Sequence, residues 1–174
     1  MAILNILRYP DVRLHKLATP VTVFDAGLKK LVADMTETMY AAPGIGLAAT
    51  QVDVHKQLIV VDVSERRDSL VVLVNPEIVE ATGESDIEEG CLSLPGQYAD
   101  VTRPARVKIR YLDQQGTRQE IEAEGLLAAC LQHEIDHLDG VLFVDHLSSL
   151  KRNMIMRRLA KEMRQKRDDA ARNL

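Results

Sequence analysis

Apolar residues recur along this chain with two different periods, and each period predicts an element. From Asp25 the positions Leu28, Leu31, Val32, Met35 and Met39 follow the three-and-four spacing of a helix face, with Asp25 as its cap. Pro43-Gly44 ends that run. Gln57–Val63 and Leu70–Val74, rich in Val, Ile and Leu, predict a strand pair around the polar turn Ser64–Ser69, with Ile78–Thr82 extending the second strand beyond Pro76. Asp86–Pro95 is polar and contains glycine, and it reads as a loop. Val107–Asp113 and Arg118–Ala123 flank Gln114-Gln115-Gly116-Thr117 and predict a hairpin. Gly125 opens an apolar run that reads as a helix to Asp139-Gly140. From Ser148 to about residue 172 a last helix carries Leu150, Met154, Ile155, Leu159 and Met163 on one stripe. Residues 1–24, broken by Pro10 and Pro20, read as irregular. The fold expected is α+β: mixed or antiparallel strands packed around a central helix, with a C-terminal helix. No repeat or linker divides the chain, so residues 1–174 are expected to form one domain.

Composition adds one asymmetry to this picture. The formal net charge is −4, but residues 148–174 hold nine Lys/Arg against three acids, leaving the first 147 residues at −10. A basic helix at 148–172 suits an anionic partner such as nucleic acid, although a solvated face explains the same residues. Two cysteines, Cys91 and Cys130, fit a reducing compartment with free thiols. No signal peptide opens the chain and no apolar run is long enough to cross a membrane, so a cytoplasmic location is expected.

Candidate chemistry centres on the predicted central helix, at Gln132-His133-Glu134-Ile135-Asp136-His137. In this HExxH pattern the two histidines lie four residues apart on one helical face and can close on a single divalent cation. Glu134 stands beside them, placed to take a proton from water. A third ligand is needed. The pattern continues as HExxHxxG, but the position that carries the third histidine of metzincin peptidases is Phe143. Glu162, the downstream helical glutamate, sits among basic residues. Cys130, on the same helix, is seven residues from His137, about 10 Å of rise, and its short side chain points away. Cys91, preceded by Gly90 in the expected loop, is better placed, and a His2Cys set leaves one position open for water. Sulfur with two imidazoles suits zinc or ferrous iron.

Three segments together are specific. Gly44-Ile45-Gly46-Leu47-Ala48-Ala49-Thr50-Gln51, Glu89-Gly90-Cys91-Leu92-Ser93-Leu94-Pro95 and Gln132–His137 resemble, in order and spacing, the signature motifs of bacterial peptide deformylases. The Leu-Arg-Tyr-Pro-Asp start and the basic C-terminal helix extend the resemblance over essentially the whole chain. It implies a metal-dependent hydrolase that removes the formyl group from N-formylmethionine on new polypeptides and releases formate. Cys91, His133 and His137 would hold the metal and Glu134 would be the general base. The Gln51 amide and the Leu92 backbone N–H would stabilise charge on the formyl oxygen, and the Gly46 carbonyl would accept from the substrate backbone. Ile45, Ile87, Leu126, Ala129, Cys130 and part of Glu89 would line the methionine slot, Tyr98 the peptide cleft. Alanine at 129 predicts a roomier slot. The family prefers Fe2+, with Ni2+ and Co2+ as functional substitutes and Zn2+ less active; ligand type alone suggests zinc first. Its partners are nascent chains and, through the basic helix, the ribosome. Asp136, Asp139 and Asp145 are equal candidates to orient the metal histidines. Two other readings compete: a zincin-type peptidase indifferent to Cys91, and a non-catalytic metal-stabilised module docking on RNA.

Overall fold

A computed structural model describes residues 2–173. Helix α1 spans Ala26–Ala41, and the Asp25 carboxylate caps it by accepting from the Leu28 N–H at 3.0 Å. Strands β1 (Gly46–Ala48), β2 (Leu58–Val61), β3 (Val71–Thr82), β6 (Arg106–Leu112) and β7 (Arg118–Glu124) form an antiparallel sheet in the order β1-β2-β3-β6-β7. Strands β4 (Ser85–Cys91) and β5 (Leu94–Arg103) form a separate two-stranded antiparallel hairpin. Helix α2 spans Gly125–Leu138 and helix α3 Ser149–Arg172.

Strand β2 explains the layering. All four of its residues are buried, so its unbroken Leu-Ile-Val-Val run has apolar layers on both faces. Leu58 and Val60 pack with Met35, Met39 and Leu47 on the α1 side, whereas Ile59 and Val61 pack with Leu73, Ile109 and Leu131 on the α2 side. A third cluster joins Leu94 and Val101 of β5 to Phe143 and to Ile155 and Leu159 of α3.

The expected helices, the β2–β3 pair and the β6–β7 hairpin are all present, and the fold is α+β. Two local expectations differ. Asp86–Pro95 is no loop: most of it is strand, paired from Ser85↔Arg103 to Cys91↔Leu94 around the two-residue turn Leu92-Ser93. Its acids and glycine are poor strand formers, and cross-strand pairing overrides them. In α3 only Ile155 and Leu159 of the five-residue stripe are buried, while Leu150 is 72 % exposed. The helix docks by its first turns and then leaves the body.

Candidate metal centre and substrate cleft

The HExxH helix is buried along the face that carries its chemistry. His133, Glu134 and His137 are each at most 6 % exposed. Cys91, at the end of β4, meets them because the Leu92-Ser93 turn is held in place: the Tyr9 N–H donates to the Ser93 carbonyl at 2.9 Å. Cys91 Sγ lies 3.3 Å from His137 Nε2, which in turn lies 3.3 Å from His133 Nε2. These three donor atoms fall within 4.8 Å of one another, the spacing that one divalent cation with about 2.0–2.3 Å bonds requires. Burial alone would keep both imidazoles neutral. For His133, contacts with Cys91 and Glu89 overcome burial and raise its pKa well above the usual value. For His137, burial and then the neighbouring His133 push it well below. The donor set, one sulfur and two imidazole nitrogens, fits a soft divalent ion.

A buried charge network orients His133. Its Nδ1 lies 2.9 Å from Glu89 Oε1, which fixes Nε2 toward Cys91 and His137. Arg103 clamps Glu89 with two hydrogen bonds, Nε to Oε2 at 2.6 Å and Nη2 to Oε1 at 2.9 Å. Its Nη1 donates to Asp136 Oδ2 at 2.9 Å, and the same oxygen lies 2.8 Å from His146 Nε2. Burial pushes the Glu89 carboxyl up, but His133 and Arg103 win and hold it below the usual range. The partner of His133 Nδ1 is therefore Glu89, and not Asp136, Asp139 or Asp145. Asp136 sits one link away; Asp145 accepts from the Leu142 N–H, and Asp139 takes no part in the network. Arg103 was not foreseen. Its inward position next to Val101 in β5 is visible only once the hairpin is recognised. His137 Nδ1 is buried without a partner among the described residues.

Glu134 projects beside the donors, its Oε1 3.9 Å from His133 Nε2 and its Oε2 without a partner among the described residues. Burial raises its pKa to about 7, the proximity of His133 opposing and Glu89 reinforcing the shift. Gly46 packs directly against it: a Cβ there would lie 2.6 Å from Glu134 Oε1 and 2.9 Å from Cys130 Sγ. Glycine at 46 is thus required by contact with the helix, a reason that the sequence alone did not supply. The Gln51 side chain is fixed at both ends, Oε1 accepting from the Ala48 N–H at 2.9 Å and Nε2 donating to the buried Ser93 hydroxyl at 3.1 Å. Nε2 also lies 3.6 Å from Cys91 Sγ. Leu92 contributes half of the turn after Cys91.

A cleft of about 590 Å³ opens over these groups. Ile45, Ile87, Leu126, Ala129, Cys130 and Tyr98 line it, as do Gly46 and Glu89, although the Glu89 carboxylate turns inward to Arg103 and His133. Cys130 Sγ lies 3.6 Å from the Ile45 carbonyl, and burial raises its thiol pKa well above the ordinary value, so it is a neutral wall group. Strand register aims β1 at the cleft. The Asp62 N–H donates to the Ile45 carbonyl at 2.8 Å, which makes Gly46↔Val61 a non-hydrogen-bonded pair. The N–H and C=O of Gly46 therefore point away from β2, toward the open edge of the sheet. An extended peptide laid there can take up both.

Comparison with known proteins agrees with this geometry. The polypeptide deformylase family model matches residues 3–153. The peptide deformylase of Chromobacterium violaceum is 58 % identical over 165 residues, covering 95 % of this chain and 99 % of that protein. A crystal structure of a peptide deformylase from Legionella pneumophila superposes with a TM-score of 0.91 at 52 % identity, covering 95 % of this chain and 98 % of that one. Another, from Ehrlichia chaffeensis in complex with actinonin, gives 0.89 at 41 % identity over 93 % and 98 % of the two chains. The chain belongs to the polypeptide deformylase family.

Proposed function

We propose that the site carries out the family reaction, hydrolysis of the formyl group from N-formylmethionine at the start of new polypeptides with release of formate, with the residues divided as follows. Cys91, His133 and His137 hold one divalent cation, with Glu89 orienting His133. When bound, that cation supplies Lewis acidity toward water and the formyl oxygen. Glu134 takes the proton of the attacking water and returns it to the departing amine. A buried carboxylate beside the three donors suits both tasks. The Gln51 amide N–H and the Leu92 backbone N–H donate to the formyl oxygen as negative charge grows on it. The Gly46 backbone pairs with the substrate backbone, and the methionine side chain enters the wall formed by Ile45, Ile87, Leu126, Ala129 and Cys130. That wall is apolar, which suits an unbranched thioether side chain.

The observation that carries this assignment is the convergence of Cys91, His133 and His137 beside the buried Glu134 carboxylate, whose Oε2 has no partner among the described residues, at the floor of the cleft. Ferrous iron is the favoured ion, with Ni2+, Co2+ or Zn2+ able to occupy the site. Support comes from the thiolate and imidazole donors and from the resemblance of the three motifs. Among the described residues no helix is long and apolar enough to cross a membrane. A cytoplasmic enzyme meeting nascent chains at the ribosome through the basic face of α3 accords with the charge asymmetry. The decisive experiment measures formate release from formyl-Met-Ala by wild type and Glu134→Ala. Wild type should turn over and Glu134→Ala should bind metal while releasing almost no formate; an active Glu134→Ala would overturn the assignment.

A further inference from the structure

Beyond the methionine slot the cleft is asymmetric in charge, and one residue accounts for it. Arg8 is the only Lys or Arg among the described residues that line the cleft. Its backbone is pinned between the two segments that build the site: the Leu7 N–H donates to the Gln51 carbonyl at 2.7 Å and the Tyr9 N–H to the Ser93 carbonyl at 2.9 Å. Leu7 is buried in the cluster with Phe143, so alternation along this extended stretch turns Arg8 outward, and its side chain is exposed. Arg13, Arg103, Arg106, Arg110 and Arg152 are each paired with a carboxylate. Arg8 has no such partner among the described residues.

The cleft also continues past Arg8. A second concavity, between residues 3–8 and the end of α1, shares Ile6, Arg8 and Ala42 with the first. Its inner wall is fixed, since the Leu4 N–H donates to Thr38 Oγ1 at 2.8 Å and the Ala2 N–H to Asp34 Oδ1 at 2.7 Å. An extended polypeptide advances about 3.3 Å per residue. Ile45, Ala42, Ile6 and Arg8 line the same cleft, so a chain that runs from the methionine slot past Ala42 meets the Ile6–Arg8 rim. The cleft also carries Glu88, exposed and paired in register with Asp100, so its charge is negative there and Arg8 is its one Lys or Arg side chain among the described residues. The first 147 residues carry a net charge of −10, which repels acidic substrates at long range. A preference for an acid must then come from a local cation.

Resting on the deformylase reading, we infer that Arg8 is a specificity-determining residue: it selects polypeptides with an acidic side chain at the third to fifth position, which pairs with its guanidinium where the cleft passes into the groove along α1. An unpaired, exposed guanidinium favours a carboxylate in fork geometry.

The test uses formyl-Met pentapeptide amides on an alanine background, with Asp, Asn or Lys placed in turn at positions two to five. Amidation removes the terminal carboxylate that could itself reach Arg8. In wild type kcat/KM for Asp should exceed that for Asn three- to tenfold at one or two of positions three to five, and the advantage should fall toward one in 0.5 M salt. Arg8→Gln should abolish the ratio, Arg8→Lys should keep most of it, and Arg8→Glu should invert it in favour of Lys. Each ratio is taken within one variant, so a general change in turnover or yield cancels. Equal rates for Asp, Asn and Lys at every position in wild type would overturn the inference, as would a ratio unchanged by Arg8→Glu and Arg8→Gln. Absence of formate release from every peptide would instead overturn the underlying reaction.

Discussion

Gly46 lies directly against Glu134, the residue placed to act as base. A methyl at 46 would sit 2.6 Å from the Glu134 carboxylate, so Gly46→Ala must displace the base or the strand that receives substrate. Overpacking of this kind costs about 1–3 kcal/mol. The expected outcome is a loss of kcat of tenfold or more with a modest drop in melting temperature, measured by formate release and thermal unfolding. Glu134 also carries a pH signature in the metal-free protein. Burial raises its pKa from 4.5 to about 7, so between these values the native state keeps a proton that the unfolded chain releases. The cost of this group is absent below pH 4.5, grows with pH, and levels off above 7. Metal-free Glu134→Gln should therefore be more stable than metal-free wild type at pH 8, by up to about 3 kcal/mol, and no more stable at pH 4. Equal stability at pH 8 in denaturant unfolding would show that the carboxylate is not buried as a charge. At the slot, Ala129 leaves room that a larger residue would fill. Ala129→Ile should lower kcat/KM for formyl peptides with long apolar first residues more than for formyl-norleucine, read from a substrate series.

Arg103 links residue to element, because it ties the β4–β5 hairpin to α2 through Glu89 and Asp136. Removing one partner of such a buried pair costs about 3–5 kcal/mol. Arg103→Leu should lose stability of that order in urea unfolding and hold metal less tightly, since Glu89 would no longer be anchored against His133. Helix α3 divides into two parts. Ile155 and Leu159 lie in the cluster with Phe143 and Leu94, whereas the helix beyond them is exposed among the described residues. Truncation after Leu147 should destabilise the whole protein, while truncation after Met163 should leave short-peptide turnover near wild type, as assayed by melting temperature and formate release. Periodicity made α1, α2 and the β6–β7 hairpin legible, because each places one apolar face on the core. It failed for β4, whose acids and glycine disguise a strand held by pairing with β5 and by a buried ion pair. The pairing of His133 with His137 could be read because HExxH sets two imidazoles one turn apart on one helical face. Their support, from Glu89 to Arg103, crosses three separate elements, and no local pattern records it.

At the scale of the whole molecule, no strand pairing among the described residues connects the five-stranded sheet to the β4–β5 hairpin. Cys91 comes from the hairpin and both histidines from α2, so an ion held by all three is a cross-link between two independently hydrogen-bonded layers. Filling the site should act on motion as well as chemistry. Amides of β4 and β5 should exchange hydrogen markedly faster after chelation, while those of β2 and β3, paired within the large sheet, should change little. Leu92 lies against Gly44, two residues before β1, so the same cross-link would also steady the wall of the cleft beside the strand that receives the substrate. Occupancy of the metal site would then stiffen the substrate cleft as well as serve hydrolysis.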